Sequence, residues 1–469
     1  MSLFKGFVCA LAKSSAVSTP PAHAEPCHCA APAPTEHPAP TPAPNDEPEP
    51  EPEPPARTHL LLVSPDQARL EQGARRLHAH HAEWEITTLT DPEQALRRAR
   101  EIGCQVVISE MELEGGTGPE LIIRLLEQQP ELCGLVRCDK KHLGREPVCL
   151  HEGVPLIDVE WDHEDFVRRL DQILTLQQWV PIGRLRPLLS RLRELPSLPT
   201  LYQQVVAELN SPNGSLQFAA KLVAKDPVMA AKTLQLVNSP LFGLAQPMVN
   251  AEEAVLYLGI ERTKALILLA GVFSKFDKTK CPGFQPELLW LHSMGVGNIA
   301  RTIVRAEKRD AKTADLAFTA GLLHDIGALL LAANLPREYS TVLAQKARRG
   351  LLLHQVEREA FGATHADLGA YLLGLWNLPV GIVRAVVWHH APAQANEDTF
   401  SVLTAVHVAN ALAYEKCKPC SAHAVPIDRD YLYRLGLDDR LNEWRKVCGC
   451  PLPKEAAEAE KLAKRRHIK

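Results

Sequence analysis

From Arg57 onward, short apolar runs alternate with amphipathic segments. The runs 59–63, 84–89, 105–109, 132–136 and 155–159 read as strands, and the segments 66–80, 92–102, 119–128 and 164–179 read as helices. Strand and helix alternating at this pitch predict a parallel sheet with helices on both faces, a doubly wound α/β domain over 57–179. Asp91 followed by Pro92 supplies an N-cap and a proline at the first helical position. After Pro181 the strand-like runs stop. Apolar residues then recur at three and four positions, as at Leu216, Ala219, Ala220 and Val223, and again at Ala230, Leu234 and Val237, with Asp226-Pro227 opening a new helix between them. The second half is therefore predicted to be all-helical, divided into a domain over 185–395 and a helical extension over 396–469. Before the first strand, 19–56 is dominated by Pro, Ala and Glu with hardly a large apolar side chain, so 1–56 reads as a disordered tail and linker.

Composition narrows the class. A chain of 469 residues exceeds what one core usually supports. With Lys+Arg at 52 against Asp+Glu at 56, the net charge of −4 argues against general nucleic-acid binding, which needs a basic field. Charged residues or Pro interrupt each apolar run before it reaches the roughly 20 residues of a membrane span, so no transmembrane segment is expected. The stretch 6–12 followed by Ala22-His23-Ala24 superficially suggests a secretory signal, but Lys5 and Lys13 bracket too short an apolar run. Most of the 12 cysteines sit singly in apolar runs, as Cys104, Cys133 and Cys138 do, which fits reduced thiols and a cytoplasmic location.

The segment VVISEMELEGGTGPEL, 106–121, together with the order of elements around it, resembles the receiver domain of response regulators. The resemblance implies a phosphoacceptor Asp at the end of the third strand, an acidic pair holding Mg²⁺, a hydroxyl residue and a Lys. In this chain Glu110 stands at the phosphoacceptor position, one methylene too long for in-line attack beside a metal. Ser64 and Pro65 replace the acidic pair, leaving Asp66 nearby, Arg137-Cys138 falls at the hydroxyl position, and Glu160-Trp161 takes the Lys-Pro site. The expectation is a degenerate receiver for dimerisation or partner binding. Two readings of Glu110 stay open, a mimic of the permanently charged state and a plain loop carboxylate. A small phosphodonor would test phosphorylation on Glu110, Asp66 or Ser64.

Three ordered motifs follow: LRELPSLPTLYQQV at 192–205, AKDPVMAAKTLQLVNSPLFG at 224–243 and AEEAVLYLGIERTKALIL at 251–268. They resemble the HDOD family, helical relatives of the HD-type metal-dependent phosphohydrolases. The resemblance implies that His292, His324, Asp325, His365, His389 and His390 are remnants of a metal site, able to take a divalent ion such as Fe, Mn, Mg or Zn. The last HD ligand, an Asp, corresponds to Asn410, a neutral amide. Ala328 replaces a Lys frequent in active enzymes, and no GYP signature follows His390. A metal-free polar core, with imidazoles satisfied by the carboxylate and by carbonyls, remains the alternative.

Four thiols in two close pairs, Cys417 with Cys420 and Cys448 with Cys450, could form a structural zinc clip, with unpaired reduced cysteines as the simpler reading. Cys27-His28-Cys29 is a weaker pattern of the same kind, and the basic KLAKRRHIK terminus reads as a solvated tail. The reading as a whole is a non-catalytic, bacterial-type signal-transduction adaptor with other signalling proteins as partners, namely kinases and cyclic-dinucleotide enzymes or regulators, and with self-association open. The competing reading is a metal-dependent phosphohydrolase acting on nucleotides or cyclic dinucleotides.

Overall fold

The computed structural model describes residues 58–138, 154–157, 165–193, 195–239, 244, 246–274, 281–416 and 425–450. Its strands are β1 (His59–Val63), β2 (Glu85–Leu89), β3 (Val106–Glu110), β4 (Glu112–Leu113), β5 (Gly116–Thr117), β6 (Cys133–Arg137) and β7 (Leu156–Ile157). Five of them form one parallel sheet in the order β2-β1-β3-β6-β7, while β4 and β5 pair as a short antiparallel ribbon. This is the strand order of a flavodoxin-like doubly wound domain.

Both faces of the sheet are covered. Leu60 and Leu62 face one way, into a core shared with Leu70 and Leu77 of the Gln67–His80 helix and with Phe166 and Leu170 of the Asp165–Trp179 helix. Leu61 and Val63 face the other way, toward Leu96 of Pro92–Glu101 and Leu121 and Leu125 of Gly118–Gln128. Burial on both faces explains why the strands read as continuous apolar runs. Helix starts follow local chemistry. Asp66 accepts from the amides of Ala68 and Arg69, Asp91 accepts from Glu93 and Gln94 with Pro92 behind it, and Thr117 and Glu120 make a capping box. The predicted strand 155–159 is described only as Leu156–Ile157, and Glu160-Trp161 lie outside the described residues.

Glu110 occupies the last position of β3 and is 6% exposed, so the loop reading is corrected. Parallel register sets Arg137 opposite it. Arg137 Nε lies 2.8 and 2.7 Å from the two Glu110 carboxylate oxygens, and Arg69 approaches to 3.9 Å. The negative charge is thus met inside the protein and is not presented as a mimic of a phosphorylated state. Ser64 is buried, its Oγ accepting from the Asp66 amide, and Asp66 is spent as a helix cap.

Beyond Ile157 every described element is helical. The core that lines the second sheet face continues without a break into these helices, through Leu176, Leu185 and Leu188 to Leu372 and Val386. At the junction, Arg169 donates to the last carbonyls of the His365–Leu375 helix, Gly374 at 3.3 Å and Leu375 at 3.1 Å. Leu176 packs on Gly374, where a Cβ would collide with it, and Arg384 of Val380–Trp388 lies over the Trp179 ring. A cation at a helix C-terminus meets both unsatisfied carbonyls and the negative end of the dipole. Among the described residues one stretch, 311–334, is long and apolar enough to span a membrane by length and composition, but 78% of its most apolar window is buried inside the fold.

Candidate metal centre

Three helix ends bring the ligand candidates together. The Ala311–Leu323 helix ends at His324, and Ile326–Asn334 begins after Asp325, whose side chain makes no capping bond. The Thr364–Asp367 capping box starts the next contributing helix with His365 at its first position. Val380–Trp388 ends at His389, with His390 next. His292 reaches in from the middle of Pro286–Ala306, where that helix crosses Ala311–Leu323 at two glycines. A Cβ on Gly321 would lie 2.8 Å from the Gly297 Cα.

The same local device orients two of the rings. His324 Nδ1 donates to the Gly321 carbonyl at 2.8 Å and His389 Nδ1 to the Val386 carbonyl at 2.7 Å, each three residues back on an orphan carbonyl of the helix end. That fixes the tautomer of a neutral ring and points Nε2 inward. His324 Nε2 lies 3.2 Å from Asp325 Oδ2 and His389 Nε2 lies 3.7 Å from Asp325 Oδ1. Both nitrogens are buried and neither makes a hydrogen bond.

Asp325 divides the cluster. Its Oδ1 faces His365 at 3.2 Å and His389, with His390 alongside, while its Oδ2 faces His324 and His292, the latter at 3.8 Å. Burial opposes the Asp325 carboxylate, but the imidazoles of His324 and His365 outweigh it and hold the group well below the usual carboxylate range. Burial pushes His292 down to about 4 and His389 and His390 well below their ordinary value. His365 goes the other way: burial works against its charge, but Glu357 and Asp325 raise it to about 10.

Burial keeps His292, His389 and His390 neutral with lone pairs to offer a cation, whereas His365 is held protonated between Glu357 and Asp325 and would release its Nε2 proton on binding a metal. The donor set therefore fits a divalent ion, with Asp325, His365, His389 and His390 as one group and Asp325, His292 and His324 as a second sharing the same carboxylate. Asn410 Oδ1 lies 3.0 Å from His292 Nε2 and accepts its proton, which occupies a nitrogen the second group would need.

Sequence reasoning missed Glu357. Fully buried on the Leu353–Phe361 helix, its Oε2 accepts from the His365 amide at 2.9 Å and from His365 Nδ1 at 2.5 Å, and its Oε1 accepts from Tyr339 at 2.8 Å. A carboxylate behind a ligand histidine is the usual outer partner of a metal site. His354, stacked on His390 with centroids 4.2 Å apart, was missed too. So was His407, which donates to the His389 carbonyl and accepts from the Asp428 amide. Of the cysteine cluster, Cys448 and Cys450 are buried with their thiols toward the Ile299 and Leu412 carbonyls, and Cys417 and Cys420 lie outside the described residues, as does Cys27-His28-Cys29.

Gly327 explains how closely the cluster closes. A Cβ there would strike the His365 carbonyl oxygen. Gly327→Ala is expected to destabilise the protein by about 1–3 kcal/mol through overpacking, despite the roughly 1 kcal/mol that alanine gains in helix propensity. Urea unfolding checks this, and a variant more stable than the parent would contradict the contact.

A protein of Treponema pallidum (strain Nichols) described as uncharacterized is 26% identical over 220 residues, which is 47% of this chain and 42% of that protein. The chain thus spans less than half the length of that curated relative. A crystal structure of an HDOD domain protein with unknown function from Geobacter sulfurreducens is 26% identical, covering 61% of this chain and 94% of the other with a TM-score of 0.45. The MmoQ response regulator of Methylococcus capsulatus is 23% identical, covering 54% and 97%, with a TM-score of 0.30. Residues 195–392, which contain all five histidines and Asp325 of the cluster, match the HDOD domain family, and the chain therefore carries an HDOD domain there.

Proposed function

We propose that this chain is a non-catalytic regulatory protein of the cytoplasm. Its α/β part, a degenerate receiver, takes an input from a partner, and its HDOD domain presents a surface to other signalling proteins such as kinases and cyclic-dinucleotide enzymes or regulators. The observation that carries the reading is the hydrogen bond from His292 to Asn410. A neutral amide stands where an HD-type hydrolytic centre needs a charged ligand, and it engages the nitrogen that should bind metal. Asp325, His365, His389 and His390 would still hold a divalent cation, in a structural role. In an active HD enzyme such an ion supplies an acidified water for attack on a phosphoester.

The junction supports a regulatory role. The Asp165–Trp179 helix packs on the two helices that carry His365 and His389, so movement of the α/β part bears on that group of ligands. The phosphohydrolase reading is favoured by the convergence of His292, His324 and Asp325, and one experiment separates the two. Purified protein is analysed for metal and assayed with Mn²⁺ or Fe²⁺ on nucleotide and cyclic-dinucleotide substrates, against a His324→Ala/Asp325→Ala control. Metal in the parent, its loss in the control, and equal background hydrolysis in both are expected. Turnover present in the parent and abolished in the control would sink the adaptor reading.

A further inference from the structure

Away from the histidines, two arginines, Arg262 and Arg301, face one carboxylate where the helices Ile260–Phe273, Pro286–Ala306 and Ala311–Leu323 come together. Arg262 Nε and Arg301 Nε lie 3.9 and 3.6 Å from the same oxygen, Asp315 Oδ1, both beyond good hydrogen-bond distance. Arg305 sits four residues after Arg301, on the same helix face, and adds to the positive field at both. The Arg262 and Arg301 side chains are only 13% and 17% exposed, and Arg301 Nε is buried with no hydrogen-bond partner. Glu261, next along the chain, is engaged by Lys264 at 2.8 Å.

Among the described residues, the single carboxylate of Asp315 faces Arg262 and Arg301, with Arg305 adding a third positive charge nearby. Burial, then repulsion from Arg262 and Arg305, lowers Arg301 to about 10 even with Asp315 beside it. The backbone contributes both signs, since Arg305 lies in the last turn of Pro286–Ala306 at the negative end of that helix, while the site's other edge is positive. Arg262 lies in the first turn of a 14-residue helix whose N-cap, Gly259 at φ 85°, provides no side-chain cap. Its guanidinium folds back so that a Cβ on Gly259 would sit 3.4 Å from one terminal nitrogen. The unsatisfied amides and the positive end of the dipole therefore add to the arginine field.

We propose that Arg262, Arg301 and Arg305, with the N-terminus of the Ile260–Phe273 helix, form a binding site for a phosphate dianion, free or as a monoester. A tetrahedral dianion matches the excess of positive charge and offers enough oxygens for forked donors from two helices. Tyr257, 44% exposed and close enough to both guanidiniums to influence them, marks the side open to solvent, where the rest of a monoester would lie.

The full chain is titrated with phosphate, sulfate and chloride at matched ionic strength, reading the thermal midpoint, with a chelator-treated sample in parallel. Phosphate and sulfate are expected to raise the midpoint saturably and chloride to leave it unchanged, with or without chelator. Arg301→Gln should weaken the phosphate response about tenfold or more, as loss of a charged hydrogen bond does. Arg305→Gln, at an exposed position, is the second variant should the first fold poorly. Asp315→Asn should tighten phosphate binding by removing the competing carboxylate, an effect a purely structural ion-pair network does not give. Adenosine monophosphate and phosphoserine identify the source: tighter binding of one assigns that monoester, and equal binding assigns free phosphate. Identical responses to phosphate and chloride, weaker binding in Asp315→Asn, or a response that survives both arginine variants would overturn the proposal.

Discussion

Glu357→Ala is expected to lose about 3–5 kcal/mol of stability, the cost of leaving a buried charge without its partner. The carboxylate is fully buried and accepts three hydrogen bonds, two from His365 and one from the Tyr339 hydroxyl. Burial and the nearby Glu357 hold Tyr339 well above its ordinary value, so its hydroxyl keeps its proton and needs an acceptor. Removing Glu357 strands all three donors in a site water does not reach. Glu357→Gln keeps an acceptor for some of them and should fall between parent and alanine variant. Glu357→Ala also releases the ring of His365, so its metal affinity should drop by about 10–100-fold, as loss of an outer-shell partner does. Urea unfolding and metal titration measure the two effects separately. A large stability loss with unchanged metal affinity would remove His365 from the ligand group.

Glu357 also shows where the sequence stops being legible. In LHQVEREAF, Glu357 and Glu359 look equivalent by type and spacing, yet Glu359 is half exposed and pairs with Arg349 on the surface while Glu357 is sealed behind His365. Only the packing of Leu353–Phe361 against the start of His365–Leu375 separates them. The strands and most helix starts could be read because local chemistry sets them: apolar runs between turn residues, and Asp-Pro pairs at 91–92 and 226–227. The histidines could be picked out through the resemblance of their motifs to HD-type sites; His324, His365 and His389 prove to sit at helix ends, while His292 projects from within Pro286–Ala306. Parallel strand register is different. It depends on contacts between residues far apart in the chain, so Arg137 could be placed near a strand end but not opposite Glu110.

That register yields the second large effect. Glu110→Ala is expected to destabilise the α/β part by about 3–5 kcal/mol, because Arg137, 2% exposed, keeps its charge in a buried place. Glu110 and Arg137 lie at the carboxyl end of the sheet, where doubly wound domains bind their ligands. Here the position is filled by an ion pair. The pair need not be there for stability, since desolvating both charges offsets much of their attraction. A double replacement, Glu110→Leu with Arg137→Met, should therefore be close to neutral or more stable by about 1–4 kcal/mol. Chemical denaturation of the two single variants and the double variant gives the coupling directly. A single-variant cost below about 1 kcal/mol, the value of an exposed pair, would mean that water reaches the site.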